Sequence, residues 1–147
     1  MKKKILILGG GYSKERLISI RSAKAIIKSI NNIYKIKFCD PCHNLLKTIK
    51  NFKPDVIFNA LHGQFGEDGY IQTILETTGI AYTHSGVIAS ALAMDKILSK
   101  KIFIKNKILT PKFFQYSFNQ TKLEIKKMIQ KKLKFPVVIK PINEGSS

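Results

Sequence analysis

A chain of 147 residues, 44% of them hydrophobic and with a mean hydropathy of −0.04, suits one folded domain, or one domain with part of another. Its 26 lysines and arginines against nine acids give a formal charge of +17, yet the lysines are scattered through every segment, without an arginine-rich helix or an aromatic-basic signature, so nucleic acid is not an expected partner. No apolar stretch approaches the ~20 residues of a membrane span, and the basic start Met1-Lys2-Lys3-Lys4 precedes too short an apolar run for a signal peptide, so the expectation is a cytoplasmic protein with no membrane partner.

Ile5 to Leu8 is a buried-strand run that opens at once into Gly9-Gly10-Gly11 and Tyr12-Ser13-Lys14-Glu15-Arg16. Apolar or small residues at Leu17, Ile18, Ile20, Ala23, Ile26, Ile27 and Ile30 then predict a helix. A strand, a glycine turn and a helix start make a corner suited to an anion or a carboxylate. It is not a dinucleotide fingerprint, because Lys14 stands where G-x-G-x-x-G needs its third glycine, and no G-K-[ST] follows to make a Walker motif. Glu15, in the first turn, also suits the positive end of a helix dipole.

Tyr34 to Cys39 reads as a second strand, Leu45 to Phe52 as a short helix, and Asp55 to Ala60 as a third strand. That third strand opens into Leu61-His62-Gly63-Gln64-Phe65-Gly66-Glu67-Asp68-Gly69, a turn that gathers a histidine, two acids and three glycines where α/β sheets bind ligands. The bland alternative for this stretch is a polar loop with one buried histidine. Tyr70 to about Gly79 predicts a helix, Ile80 to Thr83 a short fourth strand, and Val87 to Ile104 one long helix carrying Met94-Asp95-Lys96. Strands alternating with helices imply a parallel sheet.

After Asn106 the character shifts. Leu109-Thr110-Pro111-Lys112 reads as a linker, Phe113 to Tyr116 as a strand, and the segment with Leu123, Ile125, Met128, Ile129 and Leu133 as a basic amphipathic helix with a solvated face. Phe135 to Pro141 reads as another strand, leading to Asn143-Glu144-Gly145-Ser146-Ser147. Cys39-Asp40-Pro41-Cys42-His43 is a literal C-x-x-C-H, but it lacks the further ligands of a zinc site and the setting of a haem site. Two reduced thiols are the better expectation.

Four motifs together resemble the D-alanine–D-alanine ligase family of the ATP-grasp superfamily. They are Leu8 to Arg16 with Ser19; Ala60-Leu61-His62-Gly63 with Gly66 to Gly69; Tyr82 to Gly86 with Ala89 to Lys96; and Val138 to Pro141 with Glu144 to Ser147. The resemblance implies an α/β fold, with an amino-terminal Rossmann-like parallel-sheet (pre-ATP-grasp) domain over residues 1–106 and the beginning of an ATP-grasp domain over 107–147. It implies ATP-dependent joining of two D-alanines through an acyl phosphate, for peptidoglycan precursor synthesis, and a family that often forms homodimers.

The roles of residues follow from the same resemblance. Glu15 matches the acid that orients the first D-alanine, Ile18 an apolar wall near its methyl group, and His62 a histidine near that substrate. Ser146 matches a serine bonded to the equivalent of Glu15, and these three polar residues are the catalytic candidates. Lys96 and Lys140 match the lysines that contact ATP phosphates, and Glu144, Gly145 and Ser147 belong to the small-residue loop beside them. The adenine pocket and the Mg2+ ligands of the family find no match in the 147 residues, so the chain reads as a fragment, inactive alone. His84 departs from the family, standing where many members have glycine. Other readings are an isolated D-alanine-binding or regulatory module, or a ligase that takes D-lactate or D-serine as its second substrate.

Overall fold

The computed structural model describes residues 2–144. They fold into two compact units, one built on the residues up to Met94 with Glu144, the other on Asp95–Asn143.

The first unit is a three-stranded parallel sheet flanked by helices. Its elements are β1 (Lys4–Leu8), α1 (Arg16–Ile30), β2 (Lys35–Cys39), α2 (Leu45–Phe52), β3 (Val56–Asn59), α3 (Tyr70–Glu76) and α4 (Val87–Met94). The strand order is β2-β1-β3, with Lys4 beside Lys35 and Ile5 beside Val56. Side chains alternate across a strand, and β1 uses both faces. Leu6 and Leu8 pack with Ile57, with Leu45 and Ile49 of α2, and with Ile71 and Leu75 of α3. Ile7 packs with Ala23, Ala60 and Phe58, and with Ile26, Ile27 and Ile30 of α1. Leu6, Ile7, Leu8, Ile57 and Leu75 are all 0% exposed, and each such side chain stabilises the fold by about 1.5–3 kcal/mol. A strand covered on both faces reads as a continuous apolar run, as Ile5 to Leu8 does.

The fourth strand expected at Ile80–Thr83 is only a parallel bridge between Ile57 and Tyr82. Ile57 N–H donates to Ala81 O at 2.9 Å and Thr83 N–H to Ile57 O at 3.0 Å. The next ladder donor, Asn59 N–H, goes to Thr83 Oγ1 at 2.9 Å instead of a carbonyl. A side chain thus takes the position that would have extended the strand.

The long helix expected over Val87–Ile104 is interrupted at Asp95, which has extended dihedrals (φ −82°, ψ 106°). Its carboxylate accepts from Ile97 N–H at 2.8 Å and Leu98 N–H at 2.9 Å. It is an N-cap, the role that aspartate fills best, and it starts a new helix.

In the second unit, α5 (Lys96–Lys105) and α6 (Lys122–Lys132) are the regular elements among the described residues. α6 opens on a capping box: Glu124 N–H donates to Thr121 Oγ1, and Thr121 N–H to Glu124 Oε2 at 2.7 Å. Phe113–Tyr116 and Phe135–Pro141 are not strands. An apolar run becomes a strand only where a neighbour completes its ladder, and among the described residues neither segment has one. Lys100 holds the first of these segments in place: its Nζ donates to Pro111 O at 2.9 Å and lies 5.0 Å from the Phe113 ring centre.

Candidate functional site

The glycine turn after β1 and the His62 loop after β3 meet at the carboxyl ends of the strands, where open α/β sheets take their ligands. Beyond β1 the chain turns through Gly10 (φ +98°) and Gly11 (φ +79°), conformations that glycine adopts without a Cβ penalty. Ser19, fully buried on α1, ties this turn to the end of β3. It accepts from Gly10 N–H at 2.9 Å and donates to Ala60 O at 2.7 Å.

Glu15 is the residue that opens α1. Its N–H donates to Ser13 Oγ at 3.1 Å, and the same hydroxyl donates to His62 O at 2.6 Å. Ser13 thereby joins the β1 and β3 turns. The Glu15 carboxylate lies over Gly63, so close that a Cβ there would overlap its Oε2. His62 Nε2 is 3.0 Å from Ser22 Oγ. Glu15, Ile18 and Ser22 are spaced i, i+3, i+7 and so share one face of α1, with Ile18 52% exposed. The structure thus brings together a carboxylate, an imidazole and an apolar side chain, the three residues expected in the first half of the chain.

The two acids of the loop hold its backbone. Glu67 Oε2 accepts from Gly63 N–H at 2.7 Å, and Asp68 accepts from Phe65 N–H at 2.9 Å and Tyr70 N–H at 3.1 Å. Buried Asn59 and Gln72 both donate to Gly66 O, and Asn59 Oδ1 accepts from Leu61 N–H. These bonds fix the loop that carries His62. A cavity of about 470 Å³ is lined by Gly11, Ser13 and His62 together with the apolar Leu45, Leu61 and Ile71.

The C-x-x-C-H segment is a turn. Cys39 is buried and Cys42 half-buried, both free thiols. Burial pushes both thiols up, and for Cys42 the neighbouring Asp40 adds to this, so neither is a ready nucleophile. Among the described residues no group of three or more His, Cys, Asp or Glu side chains is placed to hold a metal ion. The chemistry of this segment lies in Asp40, which sequence reasoning passed over in favour of the cysteines. Asp40 pairs with Arg16 Nη2 at 2.5 Å and accepts from Gly11 N–H at 3.1 Å and Cys42 N–H at 3.2 Å. Burial alone would raise its pKa, but Arg16 and the two N–H donors outweigh it and lower the value to about 2.

The phosphate candidates lie in the second unit. Lys96 is the first residue of α5, and its N–H donates to Ile142 O at 3.1 Å, which sets the start of that helix beside the segment carrying exposed Lys140. Glu144 pairs with Lys14 at 3.3 Å, both side chains exposed. Gly145, Ser146 and Ser147 lie outside the described residues.

Comparison with known proteins agrees with this architecture. Residues 41–85 match the family described as D-ala D-ala ligase N-terminus. The D-alanine–D-alanine ligase of Pelagibacter ubique is 68% identical over all of this chain, which covers 49% of that protein. The ligase of Moorella thermoacetica is 43% identical over 98% of the chain, which covers 48% of it. The Bacillus anthracis D-alanine–D-alanine ligase structure superposes on 99% of the chain with a TM-score of 0.78 at 32% identity, and 47% of it is covered. A structure of that ligase complexed with ATP matches 88% of the chain, and 54% of it is covered, with a TM-score of 0.70 at 28% identity. The chain spans about half the length of the curated relatives it matches. Sequence and fold are thus similar, over nearly the whole chain, to the amino-terminal portion of D-alanine–D-alanine ligases.

Proposed function

We propose that this chain supplies the first-D-alanine side of an ATP-dependent ligase that joins two D-alanines for peptidoglycan precursor synthesis. The observation that carries the reading is the corner where the Glu15 carboxylate, His62 and exposed Ile18 converge. A D-alanine ammonium wants a fixed carboxylate, its own carboxylate a hydrogen-bonding partner, and its methyl an apolar wall. In the reaction ATP activates the carboxylate of the first D-alanine as an acyl phosphate, and the amine of the second displaces phosphate. Glu15 holds the ammonium, His62 stands beside the reacting carboxylate, and the family resemblance gives Ser146 a role with the same substrate. Much of the rate in such a site comes from orientation.

Lys96 and Lys140 suit the ATP phosphates, two cations on neighbouring segments of one unit, and the family resemblance gives Glu144, Gly145 and Ser147 a part in binding the same nucleotide. Residues 107–147 begin the ATP-grasp domain in this reading. The described residues offer no cluster for Mg2+, so no step is assigned to it. The family expectation puts its ligands in the part of the relatives that this chain does not span. The reading also places the protein in the cytoplasm, as a homodimer with D-alanine and ATP as ligands and without nucleic acid or membrane. No helix among the described residues is long and apolar enough to cross a bilayer.

The test is ATP turnover by the full-length gene product that carries these residues, with D-alanine against L-alanine. D-alanine-dependent phosphate release that falls at least ~100-fold in Glu15→Gln is expected, since a charge-assisted contact to the substrate is lost. Equal turnover with L-alanine, or an unaffected Glu15→Gln, overturns the proposal.

A further inference from the structure

We propose that Asp40 and Arg16 are positioning residues for the D-alanine corner: they close a clamp on Gly11 that fixes the turn from Gly10 to Glu15, and with it the Glu15 carboxylate. The inference rests on the ligase reading above and adds to it two residues that touch no substrate.

The clamp is a closed ring of contacts. Arg16 Nη1 donates to Gly11 O at 2.9 Å, and Nη2 pairs with Asp40 Oδ2 at 2.5 Å. Asp40 Oδ1 accepts from Gly11 N–H at 3.1 Å, which closes the ring. Both backbone groups of Gly11 are thus held by one ion pair. Cys42 N–H, donating to the same Oδ1 at 3.2 Å, fixes the carboxylate in turn.

This turn has need of external support. Two successive glycines at positive φ leave it with little conformational preference of its own, and Glu15 makes no side-chain cap bond to α1. Arg16 is the residue after Glu15, so the clamp grips the chain on one side of the carboxylate. Ser13, bonded to both Glu15 N–H and His62 O, grips it on the other. One grip is anchored after β2 and the other after β3. The position of Glu15 is therefore set by three βα turns together. Asp40 fits tightly into this role: a Cβ on Gly10 would lie 2.5 Å from its Oδ2. The planar guanidinium divides its two Nη groups between the Asp40 carboxylate and Gly11 O, so a single rigid group fixes both.

The experiment uses the full-length gene product with Asp40→Asn, Arg16→Met and the double variant, each assayed well below its own melting temperature. Asp40→Asn keeps the size and an acceptor for Gly11 and Cys42 but removes the charge that holds Arg16. The expected result is an increase of about tenfold in KM for the first D-alanine in each single variant, with KM for ATP within about twofold, and a double variant no worse than the weaker single, because both residues act as one device. A merely structural ion pair would lower the melting temperature and leave the D-alanine KM within about twofold; that result, or multiplicative losses in the double variant, overturns the proposal. Amide exchange supplies a readout free of turnover. Exchange at Gly11, Glu15 and Arg16 at least about tenfold faster in Asp40→Asn supports the clamp, and unchanged exchange overturns it. A wild-type protein without D-alanine-dependent turnover would instead count against the ligase reading, and the exchange measurement would still decide the clamp.

Discussion

Gly63 sits at φ +70° with the Glu15 carboxylate packed against its α-carbon. Alanine at this position meets both a disfavoured backbone region and a side chain already in the way. Gly63→Ala is expected to destabilise the fold by about 1–2 kcal/mol, from the positive φ alone, and to displace Glu15. Urea unfolding measures the first effect, and weaker D-alanine binding the second; a variant that unfolds as wild type does, with unchanged binding, would contradict the geometry. Glu15 and His62 could be picked out in the sequence through the motifs they share with the ligase family, since each residue by itself suited a bland role equally well, a partner for the helix dipole and a histidine in a polar loop. Asp40 could not be, since its role depends on Gly11 and Arg16, neither of them near it in the chain. The signal it did offer was an aspartate in the turn after β2, beside a proline. Ser13 and Ser22 had no signal at all, since a serine's partner is known only once the turns are brought together.

Among the elements, α1, α2, α3 and the three strands were readable from periodicity, because each buries a pattern of its own against the sheet. The runs at 80–83, 113–116 and 135–141 carry the same apolar residues and are not strands. Apolar content shows what a segment is able to bury, whereas a ladder depends on a neighbour. The division between α4 and α5 had a local sign, an aspartate before Lys96, but the unbroken apolar and small-residue run hid it. That cap is testable by itself. Asp95→Ala removes the acceptor for two N–H groups at the start of α5 and is expected to cost about 1 kcal/mol, seen as a lower urea midpoint. An unchanged midpoint would mean that α5 is held by other contacts.

For the molecule as a whole, charge sets the response to acid. The formal charge is already +17 at neutral pH, and protonating carboxylates raises it further, so the folded chain repels itself more as pH falls. Asp40 adds a specific contribution. Its pKa is lowered from 3.8 to about 2 in the folded state, so the stability it contributes is present above the unfolded value and is lost as pH falls from about 4 toward 2. Wild type is expected to lose stability steeply through this window, and Asp40→Asn to lose less there, though it starts from a lower value. Melting temperatures measured between pH 5 and pH 2.5 check this, and parallel curves for the two proteins would show that Asp40 titrates outside the window.

The strand order has a consequence for how the corner is assembled. β1 is made first but lies at the centre, with β2 on one edge and β3 on the other. During synthesis it therefore waits with both edges open until Lys35–Cys39 and then Val56–Asn59 have emerged. Asp40 arrives with the second strand and His62 just after the third. A growing chain thus acquires the anchor of its carboxylate corner before the imidazole that stands beside it.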